Sequence, residues 1–144
     1  MALDEIMDIN KFSEKSRIFI DSKKFLDLVP GLNHLSPWSR ESLGDCENVF
    51  LKNFQDASSD FNEHYLMFLG EGLRRSFRGV WACGDILDPG NNNLRNIVGI
   101  YYPESKHFDA VSSMLDEAIR VSSGEVWSTY FMVTDYLTSM PQEA

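Results

Sequence analysis

Apolar residues recur every three or four positions along most of this chain, and the period changes once. Phe12, Ile18, Phe19, Phe25, Leu26 and Val29 fall on one side of a helical wheel and predict a helix over 12–29. Pro30-Gly31 stops it, because proline has no amide proton to donate and glycine ends helices readily. In "SPWSRESLGDCENVFLKNF", Ser36 reads as an N-cap and Pro37 as the first helical residue. Leu43, Cys46, Phe50 and Phe54 continue the stripe over 37–55. A third helix is predicted over 59–78, with Gly79 as the residue that ends it.

After Gly79 the period drops toward two. "VWACGDIL" and "NIVGIYY" are short and rich in β-formers, and turn residues "DPGNNNLR" separate them. They predict antiparallel strands near 80–86 and 96–102 with an exposed connection. Phe108, Val111, Leu115, Ala118 and Ile119 then predict a helix over 105–121, closed by Ser122-Ser123-Gly124. Val126, Trp127, Tyr130, Phe131, Val133 and Leu137 predict a last one over 125–138. The order ααα–ββ–αα describes an α+β fold, mainly helical, with residues 1–144 as a single domain. A two-stranded ribbon is marginal alone, so it must pack on helices. Trp81, Cys83, Asp85 and Leu87 share one strand face, and Val80, Ala82, Gly84 and Ile86 the other. Both faces are mostly apolar, which asks for a cover on each, from this chain or from a partner.

Charge narrows the function classes. Acids outnumber bases 22 to 13, for a net charge of −9 and a pI near 4.7. Such a surface repels phosphate backbones and anionic lipid, so neither nucleic acid nor a membrane is an expected partner. The start "MALDEIMDIN" carries acids where a secretory leader needs bases and an apolar run, and the expectation is a cytoplasmic protein. Cys46 and Cys83 fall in different predicted elements, with neither disulfide-framework nor zinc spacing, and read as free thiols.

The densest patch is "YLMFLGEGLRRSFRGVW", Tyr65 to Trp81. On a wheel, Tyr65, Leu66, Phe68, Leu69, Gly72, Leu73 and Phe77 share one side, and His64, Glu71, Arg74, Arg75 and Arg78 the other. Glu71 stands three and four residues before Arg74 and Arg75, the favoured orientation for helix ion pairs. On a solvated face such a pair contributes only about 0.2–0.5 kcal/mol, so Glu71 is expected to be dispensable for stability. Gly72 within the apolar face costs about 1 kcal/mol of helix propensity, which a close approach by another element would offset. Read functionally, Arg74, Arg75 and Arg78 form a cationic spot suited to an anionic group.

The pattern Gly70-Glu71-Gly72-Leu73-Arg74-Arg75, followed by Gly79-Val80-Trp81 and preceded by Ser39 and Ser42-Leu43, resembles that of a group of small acidic bacterial proteins. The likeness covers roughly the central half of the chain; those proteins tend to carry paired glycines before the tryptophan, where this chain has Arg78-Gly79 and Val80. The group implies no particular activity. In size and charge alone the chain is also similar to immunity proteins, which neutralise a partner toxin.

Other chemistries are thinly supported. His34, His64 and His107 lie in separate elements without metal-ligand spacing, and no metal or cofactor is expected. Cys83 as a nucleophile with His107 as its base competes with a half-buried core cysteine. Phosphate-binding and dinucleotide fingerprints are missing from "GDILDPGNNN", and its acids do not follow calcium-loop spacing. The expected function is therefore a non-enzymatic protein-binding domain, immunity- or antitoxin-like, acting on a basic partner. Its predicted contact surface is Asp85 and Asp88 of the inter-strand loop with Asp109, Asp116 and Glu117 of the next helix, all facing water. The alternative is a small enzyme or anionic-ligand-binding domain using the Glu71–Arg78 face or the Cys83 region.

Overall fold

A computed structural model describes residues 8–56, 58–87 and 94–139; at 56, 59, 85–87 and 94–96 only the backbone course is described. Helix α1 runs Ile9–Asp21, α2 Arg40–Asn53 and α3 Ser59–Phe77. Strands β1 (Val80–Leu87), β2 (Leu94–Tyr102) and β3 (His107–Asp109) precede α4 (Val111–Val121) and α5 (Val126–Ser139). The fold is α+β and mainly helical, with the strand pair in its expected place between the third and fourth helices.

The centre of the molecule is α3. Every residue from Tyr65 to Leu73 is buried, so this part of the helix has no solvent face. It packs on α1, α4, α5 and the β1–β2 pair. One continuous apolar cluster joins Phe19, Phe68, Ile100 and Trp127 from these elements with Leu43 and Phe50 of α2. Among its rings, Phe50 lies 5.2 Å from Tyr65 and 5.3 Å from Trp127, distances at which aromatic pairs add to simple area burial.

Two glycines let indoles onto this helix. A Cβ at Gly70 would sit 2.0 Å from the Trp81 ring, and one at Gly72 would sit 2.3 Å from Trp38. The close approach expected at Gly72 is thus real, and the approaching group is a tryptophan from the segment before α2. Its Nε1–H donates to the Phe68 carbonyl at 2.9 Å.

Element ends depart from expectation in instructive ways. The first helix stops at Asp21, not 29: Lys23 is left-handed at φ 63°, and a 3₁₀ turn Lys24–Asp27 follows. That turn seats Phe25 against Phe68, ring centroids 5.9 Å apart. The second helix is capped by Ser39, whose Oγ accepts the Ser42 amide; Ser36 instead offers its carbonyl to the Ser39 amide and the Ser42 hydroxyl. At the end of α3 the left-handed residue is Arg78 (φ 60°), not Gly79. Gly79 is small for a different reason, since a Cβ there would meet Ile100 at 2.2 Å.

The largest correction is a third strand. Residues 105–110 were expected to open a helix, but His107–Asp109 pairs with β2, Tyr101 opposite Phe108, giving the sheet order β1-β2-β3. The turn 103–106 closes when the Lys106 amide donates to the Tyr102 carbonyl at 2.8 Å. Phe108 is therefore not on a helix stripe. Its ring lies over Gly84 and Gly99 beside buried Ile97, and so covers the sheet face turned away from the helices.

Gly70→Ala separates two effects of opposite sign. Propensity alone would have alanine stabilise α3 by about 1 kcal/mol. Overlap with the Trp81 ring should instead destabilise the protein by about 1–3 kcal/mol, read as a lower urea midpoint at unchanged slope. A higher midpoint would mean that Trp81 is not held against the helix.

Candidate functional site

The predicted cationic spot is a closed ion cluster. Glu71 is fully buried (0% exposed), correcting its expected place on a water-facing surface, while its pairing with both arginines stands. Arg74 donates Nε at 2.7 Å to Oε2 and Nη2 at 2.9 Å to Oε1. Arg75 donates Nε to Oε1 at 3.2 Å, and its Nη2 reaches Asp21 of α1 at 3.0 Å. Trp81 Nε1 donates to Oε2 at 2.8 Å. Burial by itself would raise the Glu71 carboxyl; the hydrogen bonds from Arg74, Trp81 and Arg75 and the arginine charges outweigh it and hold it below its ordinary 4.5. Only Arg78 of the three arginines stands well out in water, 3.8 Å from Glu104. An anion would have to compete with Glu71 and Asp21 for Arg74 and Arg75.

A second buried acid, Asp109, corrects another expectation. Predicted to face water, it is almost completely buried at the end of β3. Its Oδ2 accepts the Tyr102 hydroxyl at 2.7 Å and the Thr134 hydroxyl at 2.6 Å, and its Oδ1 lies 3.0 Å from His107 Nε2. One carboxylate thereby ties β2, β3 and α5 together. Burial, and then the Asp109 charge, push the Tyr102 hydroxyl far up, so it stays a donor. His107, proposed as a base for Cys83, has its Nε2 turned to Asp109. Cys83 itself is exposed, not half-buried.

A third acid escaped sequence reasoning altogether. Glu47 on α2 is fully buried and accepts the Val126 amide at 3.1 Å and the Trp127 amide at 2.7 Å. It caps α5 from 79 residues away, satisfying two of the amides that a helix start leaves open. Burial pushes its carboxyl up, against the pull of the Trp127, Val126 and Gly124 amides. The other thiol, Cys46, is buried and pushed up to about 12, first by burial and then by Asp45. It is a packed, inert side chain.

The remaining predicted contact acids are scattered. Asp116 is exposed on α4; Glu117 is held by Arg120 at the same surface; the Asp85 side chain and Asp88 lie outside the described residues. The exposed feature that the wheel did not single out is the outer face of α5. Met132, Val133 and Tyr136 are 65%, 46% and 67% exposed, while Trp127, Phe131 and Thr134 of the same helix are buried. Beside this stripe an open groove of about 480 Å³ is lined by Met132, Phe131, Phe77, Arg40, Glu125 and Asp135. Val133, one of the apolar residues from which this helix was predicted, faces water.

Among the described residues no group of three or more His, Cys, Asp or Glu is placed to hold a metal ion, and no helix is long and apolar enough to cross a membrane. Set against family models, curated proteins and solved structures, the chain matches none of them.

Two of these three buried carboxylates, Glu71 and Asp109, carry testable consequences. Glu71→Ala should lower stability by about 3–5 kcal/mol, because it leaves Arg74 and a buried indole N–H without their acceptor and Arg75 with Asp21 alone. The depressed Glu71 carboxyl stabilises the fold above 4.5, its value in the unfolded chain, and that contribution is lost as pH falls through its lower folded value. Glu71→Gln should therefore flatten the loss of stability below pH 4.5 in urea titrations; an acid limb unchanged from wild type would refute the assignment. At the second site, Thr134→Val should cost about 1 kcal/mol and Asp109→Ala two to three times as much, since it leaves two buried hydroxyls unpartnered. An Asp109→Ala protein as stable as wild type would put Asp109 back in water.

Proposed function

We propose that this chain is a non-enzymatic protein-binding domain whose partner is a basic protein, with immunity- or antitoxin-like inhibition as its most concrete form. The supporting observation is the outer face of α5, which offers Met132, Val133 and Tyr136 to solvent although the opposite face of the helix is in the core. Clustered large apolar side chains rimmed by polar groups are the usual centre of a protein interface. The rim here is mainly acidic. Asp135 and Glu125 border the adjoining groove with Arg40, and burial followed by the Glu117 charge of α4 raises the Tyr130 hydroxyl. With a net charge of −9, this surface attracts a partner whose own apolar patch is ringed by lysine or arginine.

This reading keeps the expected kind of partner and moves the contact surface. Asp109 drops out because it is structural, and α5 replaces the inter-strand loop as the centre. The alternative, an anion-binding or catalytic site at Glu71–Arg78, loses support because Arg74 and Arg75 are already engaged by carboxylates.

The test pairs capture with a surface variant. Met132→Asp combined with Tyr136→Ser changes only exposed side chains and should leave the melting temperature within a few degrees of wild type. Wild-type protein should retain a stoichiometric basic partner from its native cells. The purified pair should associate more slowly as salt rises, and the double variant should bind at least tenfold more weakly. A partner held equally well by the variant would overturn the α5 surface. Absence of any partner, together with turnover of a small substrate by the pure protein, would overturn the binding reading itself.

A further inference from the structure

A second groove, sharing no lining residue with the one beside α5, lies between α1 and α3. Its volume of about 390 Å³ falls in the range of small-molecule sites. The floor is apolar: Ile18 is 47% exposed there, beside Phe19 and Met67, and the His64 ring stacks on Phe19 at 4.9 Å. Lys11, Lys15 and Ile18 follow one another along a single face of α1, a span of about 10 Å at the helical rise.

Three lysines, Lys11, Lys15 and Lys24, edge this floor with one acid, Glu14, on a protein that is otherwise acidic. Lys15 is neutralised by Glu63, and Lys11 stands 3.9 Å from Asp8. Lys24, at the start of the 3₁₀ turn, has no ion-pair partner among the described residues. Lys24 also borders an adjoining recess in which the sign changes, with Asp27 and Asp60 in its lining. A negative head group would be repelled by those acids and drawn to Lys24 on its groove side, where an attached apolar tail would lie over Ile18 toward Lys11.

We propose that the α1–α3 groove binds a small amphiphilic carboxylate, one unbranched apolar chain ending in a single carboxylate, with its head group on Lys24. The apolar floor supplies affinity and the lysine supplies orientation. Within the groove a cationic amphiphile meets only Glu14, which already stands 3.8 Å from Arg17, and a neutral one lacks the head-group contact. The proposal stands apart from the protein-binding reading, since neither site needs the other.

Calorimetric titration of the whole chain with sodium decanoate, kept below its micelle concentration, tests it. One saturable site is expected, about tenfold tighter than for octanoate, the increment that follows when two more methylenes leave water. Lys24→Ala should weaken decanoate several-fold and reduce the salt dependence of binding. Ile18→Asp should abolish it. Both side chains are exposed, so both variants should melt with wild type, and a melting curve of each confirms that loss of binding is not loss of fold. Absence of saturable binding, equal affinity for decyltrimethylammonium, or affinity unchanged in both variants would overturn the proposal. So would binding to anionic phospholipid vesicles without binding to monomeric decanoate, because the groove would then be a membrane contact.

Discussion

The whole fold rests on a carboxylate placed where no water reaches it. Glu71 lies on the helix against which α1, α4, α5 and the β1–β2 pair all pack, and an ionised group there costs several kcal/mol unless its lone pairs are filled. Three donors fill them from two directions. Arg74 and Arg75 come from the next turn of the same helix, with their outer atoms still in contact with water. Trp81 comes from β1 and fixes how the sheet lies on α3. Through Arg75 the same carboxylate holds Asp21, the last residue of α1. Removing the charge would loosen a helix end, a strand and the helix between them.

The glycines on either side of Glu71 belong to this arrangement. Without Gly70 the Trp81 ring could not come near enough for its N–H to reach the carboxylate, and without Gly72 Trp38 could not close the opposite flank. Gly-Glu-Gly is thus a packing device, in which two absent side chains admit two indoles and the acid between them receives one. A similar economy recurs at Asp109 and Glu47. Each is a buried acid that joins elements distant in sequence, through hydroxyls in one case and helix-start amides in the other.

Much of the fold could be read from the chain, because apolar spacing reports which residues avoid water. All five helices, the strand pair and their order follow from it. It failed where a side chain's partner is remote. Glu71 sits opposite the apolar stripe on the wheel, and a wheel assumes that the opposite side faces water; five successive apolar residues, Tyr65 to Leu69, were the sign that it does not. Phe108 fitted a helical period by coincidence, while the Pro-Glu-Ser-Lys turn between Tyr102 and His107 carried the evidence for a hairpin. Nothing local marks Glu47 as buried, since its partners lie 79 and 80 residues away. Asp109 meets Tyr102 and His107 only through the hairpin and Thr134 only through α5. The exposed face of α5 was hidden for the converse reason: Val133 and its neighbours look like core because apolar residues surround the helix.

Among the described residues, four corners turn through left-handed backbone without glycine: Lys23, Arg78, Lys106 and Ser122. Each stands where an element ends or a hairpin closes, and each carries a strain of roughly 1–2 kcal/mol that glycine would not. The fold tolerates all four at once, which is a measure of how firmly its interior determines the path of the chain. It also means that the molecule has latent stability at its corners, outside the core. A sequence change that weakened the outer face of α5 could be offset there without touching the interior.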